Sequence, residues 1–333
     1  MRKSLFFIAI AAICLCSCAK SKPTEKNSAE KKYFDAWIRV NCPNAQKVFP
    51  GIYIVEDEPG TGELVGDPRD SLFLAADFTI STLDGQYVTY TYKEIAQQLG
   101  TYDKKVYYGP SLMAFGEGST YAGAEYSFNT MRVGGHRKTI IPGWLITLNR
   151  YDSEDGYLKN VTGTNNIYDV TILEKIESET KWEVDSVGRY MQRNFGKSVA
   201  DSLKYGFYYV QTRAPQSSEK FESDSTFYID YIGRRLDGQV FDTTIKDTAR
   251  MYGIYNADKD YEPVSVTYKD TYSEITLSGN NVIDGFAYAL YNMHPYESCS
   301  VVFISGLGYS SSSQTYIPEY SPLRFDISIV DKK

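Results

Sequence analysis

Histidine is scarce in this chain: His136 and His294 are the only two in 333 residues. A histidine-based metal site, or a serine or cysteine nucleophile activated by an imidazole, therefore lacks parts. Of five cysteines, Cys14, Cys16 and Cys18 sit at the extreme N-terminus. Cys42 and Cys299 remain, two thiols far apart that permit one disulfide and demand none. Cys299 alternates with Val301 and Phe303 in a strand-like run, which favours a buried thiol. Basic excess is also missing. The formal net charge is −7, and no Lys/Arg stripe interleaved with aromatics appears, which argues against nucleic acid as a partner. After the first apolar run, no segment is long enough to span a bilayer.

What is present is length enough for two domains with separate cores, and 30 tyrosines. Tyrosine and the many β-branched residues favour strands over helices. At the N-terminus, Arg2-Lys3 is a charged leader, and Leu5 to Leu15 is an apolar stretch too short to cross a membrane as a helix. It ends in Leu15-Cys16-Ser17-Cys18, which resembles a bacterial lipobox. That resemblance implies lipidation of Cys18; Cys16 fits worse, because bulky Leu15 precedes it. The alternative is a secretory peptide cut beside Ser17. The polar, lysine-rich stretch from Ala19 suits a flexible tether. The expected organisation is a signal at 1–18, a tether at 19–27, a first module at 28–176, a helical linker at 177–205 and a second module at 206–333.

The two modules read as a duplication. Gly51-Ile52-Tyr53-Ile54-Val55 matches Gly206-Phe207-Tyr208-Tyr209-Val210; Leu83-Asp84-Gly85-Gln86 recurs as Leu236-Asp237-Gly238-Gln239; Tyr168-Asp169-Val170 recurs as Phe325-Asp326-Ile327. All three matches lie about 155 positions apart. A helical stretch precedes each first strand: Phe34, Trp37 and Ile38 in one copy, Val184, Val187, Met191 and Phe195 in the other. In the second copy Phe227, Ile229 and Tyr231 alternate with Tyr228, Asp230 and Ile232 in a two-faced periodicity; Cys299, Val301 and Phe303 form a second alternating face, and Phe325, Ile327 and Ile329 a third. Asp284 to Met293 is the one good short helix there. One helix packed on an antiparallel sheet is an α+β arrangement.

The residues Tyr231-Ile232-Gly233, Leu236-Asp237-Gly238, Phe241-Asp242, Val282-Ile283-Asp284-Gly285-Phe286, Met293, Leu307-Gly308-Tyr309, Ile317-Pro318 and Phe325-Asp326 keep an order and spacing similar to the FKBP-type peptidyl-prolyl cis-trans isomerase domain. The resemblance covers roughly 206–333. It implies α+β modules, each a curved antiparallel sheet packed on a short helix, with a groove between. It also implies roles: Tyr231, Phe241, Phe286 and Phe325 as aromatic walls and floor, Asp242 as a polar contact near the substrate carbonyl, and Val282-Ile283 as a backbone contact. Tyr309 would be a hydroxyl donor, and Ile317 the apolar residue before proline. Phe286 replaces the family's usual tryptophan, the glycine expected after Met293 is replaced near Tyr296, and a serine run from Ser310 to Ser313 fills the loop after Tyr309. The stretch from Thr243 to Ser273 is longer than usual.

Isomerising an X-Pro bond needs no nucleophile, metal or cofactor, since the barrier is amide resonance of about 18–20 kcal/mol. The resemblance implies proline-containing polypeptide clients and a macrolide-type ligand; the lipobox implies a membrane anchor in the bacterial envelope. A binding or scaffold lipoprotein without catalysis is the competing expectation. The first module has Phe78 in place of Tyr231, Val88-Thr89 in place of Phe241-Asp242, and Gly123-Ala124 in place of Gly285-Phe286. It reads as a retained fold without the proline pocket, with a structural job in packing, dimerisation or presenting the second module; its insertion from Tyr92 to Tyr121 is a partner surface or simply an aromatic strand.

Overall fold

The computed structural model describes residues 27–66 and 72–332. The signal, the lipobox with Cys18, and the tether up to residue 26 lie outside the described residues. The first module contains α1 (Ser28–Asn41), β1 (Gln46–Val48), β2 (Ile52–Glu58), β3 (Leu72–Thr82), β4 (Tyr87–Tyr90), α2 (Lys93–Gln98), β5 (Ser111–Phe115), α3 (Ala122–Phe128), β6 (His136–Ile141), α4 (Glu154–Asn160) and β7 (Asn166–Ile176). The second contains α5 (Glu179–Phe195), β8 (Phe207–Arg213), β9 (Thr226–Arg235), β10 (Val240–Thr243), α6 (Lys246–Tyr252), β11 (Val264–Thr267), β12 (Thr276–Leu277), β13 (Asn280–Asn281), α7 (Asp284–Asn292), β14 (Ser298–Phe303) and β15 (Leu323–Val330). The fold is α+β, with two antiparallel sheets that do not join.

The duplication is visible in strand order. One sheet runs β1-β2-β6-β7-β3-β4 with β5 also on β3; the other runs β13-β12-β11-β9-β15-β14-β8 with β10 also on β9. The path β2-β6-β7-β3 of one sheet repeats as β8-β14-β15-β9 in the other, so the C-terminal strand of each module, next to its penultimate strand, lies in the middle of its sheet. Side-chain hydrogen bonds repeat as well. Thr91 Oγ1 accepts from the Phe78 N–H at 3.0 Å and donates to Asp77. Thr244 Oγ1 accepts from the Tyr231 N–H at 3.0 Å and donates to Asp230. Tyr102 stacks on Tyr108 and Tyr255 stacks on Tyr261, with centroids 5.5 and 5.4 Å apart. In both, the second tyrosine's hydroxyl accepts from the backbone N–H that follows the first.

These pairings correct the reading of Tyr92 to Tyr121 as an insertion. α2 and β5 correspond to α6 and β11 without any shift between them. The long stretch after Thr243 and the supposed insertion are therefore the same element in two copies. It was hidden because Thr101 to Tyr108 and Ile254 to Tyr261 share little beyond two tyrosines, whose stacking and hydroxyl bonds fix the loop.

Each module closes its own core. Phe34 of α1 is fully buried and packs edge-on against Tyr53 and Trp144. Val184, Val187 and Met191 of α5, spaced for one helical face, cover Tyr208, Val302 and Ile304. Ser178 caps the start of α5, accepting from the Lys181 N–H, and Gly196 ends it in a left-handed conformation. Cys42 and Cys299 are both free thiols, and burial pushes the Cys299 thiol up to about 12.

The modules meet along a seam. Arg235, almost fully buried, donates from Nη1 to the carbonyls of Lys105 (2.8 Å) and Tyr316 (2.6 Å), while its other nitrogens hold Asp237. Tyr107 lies against the same guanidinium, and Phe73 packs edge-on against Tyr320. The aromatic surface of the first module thus has a partner in its own chain.

One buried acid joins α5 to the second sheet. Both Glu183 carboxylate oxygens accept from Ser305, one from its N–H and one from its hydroxyl, each at 2.5 Å. Burial outweighs those bonds and raises its pKa from 4.5 to about 7. The folded state therefore holds the proton more tightly than the unfolded chain. The stability this confers is complete below about pH 4.5 and is lost as pH rises through about 7. Denaturant titrations should show unfolding becoming easier by roughly 2–3 kcal/mol between pH 5 and 8, and Glu183→Gln should flatten that slope.

Candidate active site

The site is built on a row of three residues across three strands. Gly233 of β9 stands opposite Asp242 of β10 on one side and Phe325 of β15 on the other. A bulge between Val240 and Asp242 leaves Phe241 as the extra residue, which re-aims its side chain. Gly233 makes the row possible. A Cβ there would lie 2.7 Å from the Phe325 ring and 2.8 Å from the Phe241 ring, closer than real contacts allow.

Four rings then converge. Phe325 meets Phe241 edge-on at 5.6 Å and Phe286 at 4.9 Å; Tyr231 meets Phe286 at 5.5 Å. Phe286 comes from α7, which can approach the sheet because Gly285 lies against the Phe303 ring. The rings bound an open pocket of about 310 Å³, completed by Val282 and Ile283 before α7, by Tyr309, and by Leu277 and Asn281 of the β12–β13 hairpin.

The polar side is a chain of three groups. The Tyr231 hydroxyl donates to Asp242 Oδ2 at 2.5 Å, and Lys259 Nζ donates to Asp242 Oδ1 at 2.5 Å. Burial, then the Asp242 charge, hold the Tyr231 phenol far above its usual range, and the same two causes raise Tyr309. Both tyrosines are therefore protonated donors at any physiological pH. Asp242 is pinned by the Thr243 N–H at 2.8 Å.

Of the expected site residues, Tyr231, Phe241, Asp242, Val282, Ile283, Phe286, Tyr309 and Phe325 line this one pocket. Ile317 does not. Gln314 and Ile317 exchange reciprocal backbone hydrogen bonds, and that tight turn drops the Ile317 side chain into the module core. The serine run after Tyr309 does not lie over the pocket either; Ser313, Pro318 and Glu319 face the first module. Tyr296, where the family glycine was expected, adopts a left-handed φ of 59°. Sequence reading missed Lys259, Leu277 and Asn281. Setting Tyr255 and Tyr261 against Tyr102 and Tyr108 places Lys259 opposite Val106, but only its bond to Asp242 marks it as part of the site.

The first module differs at each point. Phe78 has no hydroxyl to offer, Thr89 replaces Asp242, Val106 replaces Lys259, and Ala124 replaces Phe286. Ile80 stands where Gly233 does, opposite Tyr168.

Residues 217–330 match the FKBP-type peptidyl-prolyl cis-trans isomerase family. The second module belongs to that family. No curated protein matches the chain. Among solved structures, the crystal structure of the three FKBP domains of wheat FKBP73 is 14% identical, with 86% of this chain and 98% of that one covered, at a TM-score of 0.29. Escherichia coli FkpA is 16% identical, with 45% of this chain and 59% of that one covered, at a TM-score of 0.29. Likenesses this distant decide nothing about how the modules are arranged.

The space at Gly233 is testable in this FKBP-type module. Gly233→Ala should push the Phe241 and Phe325 rings apart, lowering stability by about 1–3 kcal/mol in denaturant titrations. Unchanged stability and unchanged tyrosine and phenylalanine chemical shifts at the pocket would contradict this account.

Proposed function

We propose that the protein is an exported, lipid-anchored peptidyl-prolyl cis-trans isomerase that assists folding of envelope proteins, with its pocket in the C-terminal module. The observation that carries this reading is the convergence of Tyr231, Phe241, Phe286, Tyr309 and Phe325 around one open pocket, with Asp242 at its edge. A proline ring fits among such rings, away from water. Twisting the X-Pro bond ends amide resonance and makes the nitrogen pyramidal and less able to share charge with its carbonyl. An apolar wall favours that form over the planar, more dipolar amide. Tyr309, kept protonated, is placed to donate to a substrate carbonyl. Asp242, held by Tyr231 and Lys259, presents a fixed negative charge where the carbonyl carbon carries partial positive charge.

Purified protein should accelerate isomerisation of a proline-containing peptide, read by protease-coupled absorbance or NMR exchange. Tyr309→Phe and Asp242→Ala should each lower kcat/KM about tenfold, as the loss of one hydrogen bond or fixed charge in a partly buried site would do. A rate equal to the uncatalysed background would end this reading. Phe286 at the floor, smaller than the usual tryptophan, favours the second reading of a peptide-binding or chaperone module. Suppression of client aggregation that Tyr309→Phe and Asp242→Ala leave intact would select it.

The anchor rests on Leu15-Cys16-Ser17-Cys18. In a bacterial host, metabolic labelling with a radioactive fatty acid should mark the protein, and Cys18→Ser should remove both label and membrane fractionation. Retention of the label in Cys18→Ser, with loss in Cys16→Ser, would move the lipid to Cys16.

A further inference from the structure

β5 and β11 hold the same place in their modules. Ala76 pairs with Ser111 as Ile229 pairs with Val264, and Phe73 pairs with Ala114 as Thr226 pairs with Thr267. Their outer edges differ. In the second module the chain 268–283 builds β12 and β13, β12 pairs with β11, and the Ser278 N–H donates to the Ser265 carbonyl at 2.8 Å. In the first, the shorter connection 116–121 builds no such hairpin, and among the described residues no strand pairs with the outer edge of β5. Leu112 occupies the register position of Ser265, so its backbone groups and those of Ala114 point away from β3. Thr120 Oγ1 donates to the Ala114 carbonyl at 3.0 Å; among the described residues no side chain bonds the Leu112 groups or the Ala114 N–H.

A cavity of about 550 Å³ lies along this edge. All five residues of β5 line it, although successive side chains of a strand point to opposite faces; the backbone edge itself therefore borders the space. Its depth is apolar, with Phe78, Phe128 and Tyr168 around Ala124, where the second module has Phe286. The opposite wall is Pro318 and Glu319 of the second module. Ser111, Leu112, Pro318 and Glu319 also line an adjoining cavity of about 420 Å³ that reaches Trp182 and Tyr107. The two form one elongated trough along the seam.

We propose that this trough is a second polypeptide-binding site, in which an extended segment adds as a strand to the free edge of β5 and lowers an apolar side chain over Ala124. The unpaired N–H and C=O groups are matched best by another backbone in extended form. A helix has no free main-chain groups along its length, and a compact apolar molecule would leave the edge unpaired. The second module displays the same arrangement within one chain: β12 lies on β11, and its Leu277 reaches the neighbouring pocket. The site needs none of the isomerase residues, so it stands or falls apart from the catalytic reading.

The test uses the full-length protein and a fluorescein-labelled peptide of alternating threonine and phenylalanine, flanked by lysines and free of proline, followed by anisotropy. Saturable binding is expected, unchanged by Asp242→Ala. A peptide N-methylated at alternate residues should bind at least tenfold more weakly. Ala114→Pro, which removes an edge N–H, and Ala124→Phe, which refills the floor, should each weaken binding by a similar factor while circular dichroism stays the same. If either variant misfolds, the N-methylated peptide on the unaltered protein decides. Absence of saturable binding, equal affinity for the N-methylated peptide, or equal affinity of both folded variants would overturn the proposal.

Discussion

The candidate pocket depends on the row Asp242–Gly233–Phe325 across three antiparallel strands. Backbone pairing fixes the row, the glycine leaves volume above it, and two phenylalanine rings fill that volume. The other site features follow from it. Tyr231, two residues before Gly233 on the same face, meets Phe286 and reaches Asp242. The first module shows the converse. With Ile80 at the centre of the equivalent row, the volume is taken by an aliphatic side chain, and neither an aromatic at Val88 nor a carboxylate at Thr89 remains.

The seam adds a second level of organisation. Arg235 ends β9, and its guanidinium ties a carbonyl of each module while bound to Asp237. A buried cation held by two carbonyls and a carboxylate is orienting more than stabilising, because desolvation offsets much of the attraction. Its geometric effect is to face the loop after Tyr309 toward the first module. That loop has Tyr309 on the pocket and Pro318 on the seam, so one connection serves both surfaces.

Much of the fold was legible in the sequence, because duplication and alternation are properties of local pattern. The α+β class, the helices before each sheet and α7 follow from periodicity at Phe34, Val184 and Phe286. The spacing of short motifs assigned nine residues to one site, and eight of them line the pocket. Ile317 lies outside that lining, buried in the module core beyond a reciprocal hydrogen-bonded turn with Gln314. Lys259 and the β12–β13 hairpin were not read from the sequence, for another reason. Their positions depend on a loop held by stacked tyrosines and on an edge pairing, neither of which leaves a periodic trace. The same blindness made a shared element look like an insertion.

The place of β15 has a consequence for the order in which the molecule can be made. Among the described residues it is the last strand, yet it sits between β9 and β14, and it carries Phe325. Without β15 the second sheet lacks the strand that joins β9 to β14, so the aromatic pocket is complete only once β15 has paired. β7 holds the corresponding place in the first module. That half precedes the second in sequence and closes a core of its own. Strand order along the chain therefore puts the central strand of the first module ahead of that of the second, and the aromatic pocket waits for β15.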